Sequence, residues 1–165
     1  ARTLTVSTSV IRSVFKSTTD SSAVTGTTAE TLLTSALIAA GTLTTGDLIE
    51  LNARIIKTGT AGTTVTKIYV NTSSSLVGAT QLATVTNGAT LVFIAPIRHF
   101  LIKSSTNTEG ILSSLSSNGD FVGGFAVART STNIDWTVDQ YIIISIQNGS
   151  AADSTLCSWF QLDKK

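Results

Sequence analysis

Few side chains in this sequence could do chemistry, and their spacing narrows what that chemistry would be. His99 is the only histidine. A Ser-His-Asp relay would have a single imidazole to draw on, and a site of several histidines is ruled out. His99 lies in an apolar run between Arg98 and Phe100, which reads as a structural or interface position rather than a catalytic one. Near the axis of an assembly it would lie close to its own copies and make association respond to pH. Asp135 and Asp139 flank Trp136. Paired carboxylates beside an aromatic can serve sugar hydrolysis or hold calcium. The D-x-D-x-D spacing of a calcium loop is missing, and both aspartates precede a strand-like run, where turn hydrogen bonds are their ordinary work.

Binding is the other chemistry available. Exposed aromatics beside amides or carboxylates stack on sugar rings, so Trp136, Trp159, Tyr141 and His99 are the candidates for glycan or interface contact. Trp159 alternates with Phe160 and should point away from the core, towards a subunit interface or solvent. Cys157 is expected on the same side as Trp159, as a small buried hydrophobe. As the only cysteine it makes no intrachain disulfide. Gly123-Gly124 lacks the Gly-Lys-Ser/Thr pattern of a phosphate loop. Asn71-Thr-Ser and Asn148-Gly-Ser fit the glycosylation sequon but read as turns. No catalytic residue, cofactor or metal is expected.

The elements that must position these residues are strands. The 165 residues allow one domain with a substantial core. Thr (29) and Ser (21) dominate, charged residues are 13% and apolar residues 42%. Thr, Val and Ile suit a pleated surface because branching at Cβ is tolerated there and crowded in a helix. A disordered Ser/Thr-rich stalk would carry proline and few large apolar residues; here there is one Pro. So few charges leave apolar faces beyond one core, and oligomerisation is their natural outlet. The net charge of +1 and the absence of a basic run beyond Lys164-Lys165 argue against nucleic acid. Leu91 to Ile102, the most apolar run, is interrupted by Pro96, Arg98 and His99, so no membrane insertion is expected. Ala1 to Lys16 alternates instead of forming the apolar block of a secretory signal. Opening on Ala1 instead of Met is expected of a processed chain or a piece of a longer one.

Residues 1–22 read as an N-terminal arm or first strand, and 23–165 as a β-sandwich domain. Thr31 to Ala40 is strand-like. After Gly46-Asp47 comes the clearest alternation: Ile49, Leu51, Ala53 and Ile55 on one face, Glu50, Asn52 and Arg54 on the other. Strands follow over Val65 to Val70 and Ala79 to Val85, and Asn87-Gly88 predicts a primed hairpin turn. Leu91 to Lys103 is one or two strands marked by Pro96. Thr106 to Asp120 is irregular, with Ile111, Leu112 and Leu115 spaced for a short helix. Phe121 to Ala128 resumes the β pattern, and Thr130 to Asn133 is a loop. Tyr141 to Gln147 is densely β-branched, and Leu156 to Leu162 closes the chain with Leu156, Phe160 and Leu162 on one face. The fold class is therefore all-β, an antiparallel β-sandwich of about 8–10 strands. No solenoid period is visible.

Two segments add a resemblance. Thr25 to Ile55 (TGTTAETLLTSALIAAGTLTTGDLIELNARI) and Asp135 to Leu162 (DWTVDQYIIISIQNGSAADSTLCSWFQL) resemble the jelly-roll-like β-sandwich of bacteriophage fibres, spikes and decoration knobs. The likeness covers roughly Ala23 to Lys165 and rests on a texture of strand and turn residues. It implies a non-enzymatic structural protein of the virion surface, on capsid or tail. Its partners would be its own copies in a homotrimer, other virion proteins and a host-surface glycan or receptor. Recognition would fall on the loops Thr58 to Thr64, Asn71 to Ser75, Ser104 to Asp120 and Thr130 to Asp135. The alternatives are a monomeric carbohydrate-binding module, which needs an exposed aromatic platform, and a glycan-cleaving enzyme, which needs two acids converging in a groove.

Overall fold

The computed structural model describes residues 12–111 and 129–165. Residues 1–11, Leu112 and Leu115 of the expected short helix, the strand Phe121 to Ala128 and the pair Gly123-Gly124 lie outside them. Ile111, the first position of that helix, is instead the last residue of a strand, Asn107–Ile111. Twelve strands form among the described residues: β1 (Arg12–Ser17), β2 (Val24–Thr25), β3 (Thr31–Ile38), β4 (Leu48–Thr58), β5 (Thr64–Asn71), β6 (Thr80–Asn87), β7 (Phe93–Ile94), β8 (Ile97–Ser104), β9 (Asn107–Ile111), β10 (Arg129–Thr132), β11 (Gln140–Asn148) and β12 (Ser154–Lys164). Sheet A runs β1-β12-β4-β8-β9-β10, with β2 also on β12 and β7 also on β4. Sheet B runs β3-β11-β5-β6, and every pairing is antiparallel.

The strand order defines the topology. β1 and β2 lie in succession along β12, as one interrupted strand. β7 and β8 lie along β4, parted by Ala95-Pro96, where the proline ring denies a ladder donor. Counted this way, with β9 and β10 as an extension of sheet A, the strands read 1-8-3-6 in one sheet and 2-7-4-5 in the other. That is the double Greek key of a jelly roll. Its loops gather at two ends. Around residues 149–153 the β2–β3, β4–β5, β6–β7 and β11–β12 connections meet. At the opposite end lie the β3–β4, β5–β6, β8–β9 and β10–β11 connections.

Period-two patterning fills the core between the sheets. Ile49, Leu51, Ala53 and Ile55 of β4 face Ile142, Ile144 and Ile146 of β11 inside one apolar cluster, with Phe100, Ile102, Phe160 and Leu162. The Phe15 and Phe160 rings pack 5.4 Å apart.

Three further expectations change. Asn87-Gly88 is no hairpin turn, because β6 and β7 belong to different sheets and the chain crosses the sandwich there. Thr130 lies within β10, which pairs with β9. Finally, the register of β12 shifts between Cys157 and Trp159. This bulge places the extra residue, Ser158, so that Cys157 enters the core while Trp159 faces out. Strict alternation, which put those two on one side and Leu156 with Phe160, fails at that residue.

Candidate interaction surface

The outer face of sheet A is divided. Towards the β3–β4 end it is polar and spent on itself. Asn52 Nδ2 donates to Glu50 Oε1 at 2.8 Å, His99 Nε2 lies 3.1 Å from Glu50 Oε2, and the Lys165 ammonium caps the same oxygen. Those contacts, led by Lys165, hold the Glu50 carboxyl down to about 2. His99 is thus a rung of a charged ladder across β4 and β8.

Towards the other end the same face turns apolar and aromatic. Trp159 stands opposite Arg54, and Ile56 opposite Phe93. Arg54, Ile56, Ser158 and Trp159 line an open cleft of about 620 Å³. The Arg54 guanidinium lies 5.2 Å from the centre of the Phe93 ring, within cation–π range. Leu91, Val92, Phe93 and Ile97 continue the surface and are 42–51% exposed. Backbone bonds hold this strip in place: Lys57 N–H donates to Val92 O at 2.9 Å and Ala53 N–H to Pro96 O at 3.2 Å.

Deep beneath it, Lys57 fastens the loops. Its ammonium, with no side-chain exposure, lies 3.1 Å from the equally buried Asp153 carboxylate. It also donates to Ala89 O at 2.9 Å and to Gly62 O. Asp153 further accepts the N–H groups of Ala61 (3.1 Å) and Gly62 (2.9 Å). Burial alone would raise the Asp153 pKa; the Lys57 and backbone hydrogen bonds outweigh it and hold the carboxyl below its ordinary value. A side chain at Gly62 would collide with Gly149 and Ser150, so the two loops touch backbone to backbone.

The four predicted contact residues are not brought together. Trp159 and His99 share the outer face of sheet A, on its aromatic and polar parts. Tyr141 is half-buried in β11 beside Asn71 and Leu37, on sheet B. Trp136 is a correction: it is 3% exposed, with Nε1 donating to Thr108 Oγ1 at 2.8 Å. Its ring plugs the core at the β3–β4 end and offers no platform to a sugar. The flanking carboxylates do turn work: Asp135 Oδ1 accepts from Thr137 N (2.9 Å) and Oγ1 (2.6 Å), and Asp139 Oδ1 from Ala40 N (2.8 Å). Cys157 is buried, which pushes its thiol pKa up and suits a core residue. The sequence does not mark Phe93, Arg54 or Lys57 as site residues; the run Leu91-Val92-Phe93 directly after a turn is the available signal for the first.

Among the described residues no cluster of three metal-ligating side chains occurs. No protein-family model, curated protein or solved structure matches the chain.

Proposed function

We propose that this chain is a structural knob of a bacteriophage particle, a fibre, spike or capsid-decoration module, that assembles as a homotrimer on the virion surface. The observation that carries the reading is the apolar and aromatic half of sheet A: Trp159, Ile56, Phe93, Leu91, Val92 and Ile97 lie on one jelly-roll face of a chain only 13% charged. An exposed aromatic strip rimmed by polar residues suits protein contact. The jelly roll itself serves capsid and lectin domains alike, so the site rather than the fold has to bear the argument. The likeness of Thr25 to Ile55 and Asp135 to Leu162 to phage knobs agrees with it. The role is non-enzymatic and works by shape and repetition. Three weak sites per knob and many knobs per particle raise apparent affinity for a host-surface glycan or receptor, because later contacts become intramolecular.

Phe93→Asp and Trp159→Asp test this by sedimentation velocity. Each should dissociate the assembly while leaving the far-ultraviolet circular dichroism unchanged. Retention of the assembly in both variants sinks the assigned face. A second reading, the monomeric carbohydrate-binding module, is favoured by the Trp159–Arg54–Ser158 cleft, which pairs an aromatic ring with hydrogen-bond donors. Glycan binding by a monomer, lost in Trp159→Ala, would put that reading first.

A further inference from the structure

At the β11–β12 end the interior of the sandwich stops being apolar. Asn148, Thr64 and Asn87 are register neighbours across β11, β5 and β6, and all three are fully buried. They form a polar row on the inner face of sheet B, with buried Thr66 two residues further along β5. Asn148 is satisfied: its amide donates to Val24 O at 3.1 Å and its oxygen accepts from Thr155 Oγ1 at 2.7 Å. Its neighbours are not. The hydroxyls of Thr64 and Thr66 and both side-chain polar atoms of Asn87 have no protein partner. Val85, opposite Thr66, is buried yet stands outside the apolar cluster.

A buried donor or acceptor left unpaired keeps the full penalty of leaving water, and folded interiors avoid that by enclosing water that makes two to four hydrogen bonds. We propose that Thr64, Thr66 and Asn87 hold at least one ordered internal water at the β11–β12 end of the sandwich. The site suits water and not an ion. Its groups are neutral, the Asn87 amide supplies both donors and an acceptor, and the hydroxyls serve as either. The nearby charges, Lys57 and Asp153, are committed to each other. Asn87 is the last residue of β6, so the water lies at the start of the loop that carries Leu91 and Val92 into β7. Lys57 holds the same loop further on, at Ala89 and Val92.

The test is a high-resolution crystal structure of the full chain, with thermal unfolding of Thr66→Val and Thr64→Val, which swap a hydroxyl for a methyl at constant shape. Expected are water density bonded to at least two of the three side chains, and a Tm lowered by about 2–4 °C in each variant as the network is cut. Absence of that density overturns the proposal. So does an unchanged or raised Tm, because deleting an unpaired hydroxyl removes a penalty. Should a variant fail to fold, the wild-type density decides alone.

Discussion

The two ends of the jelly roll are closed by different means. At the β11–β12 end one fully buried ion pair, Lys57–Asp153, gathers three connections through Gly62, Ala61 and Ala89. At the β3–β4 end the work is shared among shallow groups. Asp47 accepts from Thr44 N (2.6 Å) and Lys164 (2.6 Å), Asp139 from Ala40, Asp135 from Thr137, and Trp136 plugs the core below them. A deep pair is strong only while both partners are present, because either one alone is an uncompensated buried charge. Shallow carboxylates fail one at a time, since water replaces each lost bond. The end that presents the aromatic strip therefore depends most on one ion pair, whereas the other end spreads its bonds over several groups.

Breaking the first end should have the largest effect. Asp153→Ala leaves the Lys57 ammonium buried without its carboxylate, and Tm should fall by roughly 10 °C. Restoring the balance with a neutral partner, Lys57→Met in the Asp153→Ala background, should recover part of that fall. Acid comes next. Glu50 titrates at about 2 in the fold against 4.5 unfolded, and Asp47 and Asp153 also lie below their ordinary values. Depressed carboxyls contribute stability that is complete above the unfolded pKa and lost as pH falls through the folded one. Tm should thus stay level above about pH 5 and drop progressively towards pH 2, and Lys165→Gln should shrink the Glu50 share. A smaller effect is expected at the plug: Trp136→Phe keeps the ring volume largely filled but strips Thr108 Oγ1 of its donor, costing about 1–2 kcal/mol in chemical denaturation. Smallest is Asp139→Ala, whose lost bond to Ala40 N–H lies at the surface, with a Tm change of no more than about 2–4 °C. An Asp139 effect as large as that of Asp153 would erase the contrast between the ends.

What was legible in the sequence was local. The β4 alternation gave its buried face, and the β-branched run of β11 marked the centre of sheet B. The turn at Gly46-Asp47 was also readable: Gly46 adopts a φ of +95°, which side chains resist. The Ser158 bulge was not legible, because one extra residue leaves no mark in composition yet reverses every inference drawn across it. Asn87-Gly88 carried a hairpin signal, but crossing between sheets is decided by which strands pair, and pairing is non-local. Trp136 resembled a binding aromatic because its partner, Thr108, comes from a distant strand. The ion pair hid for the same reason: Lys57 closes an alternating strand as an ordinary wet-end lysine would, and only the fold brings Asp153 to it.

Copies of the same chain are proposed to cover the aromatic half of sheet A. Light scattering of the purified wild-type protein, at micromolar concentration and neutral pH, tests it most directly. A mass near three chains of 17.2 kDa is the predicted result. A clean single-chain mass across that concentration range would contradict it.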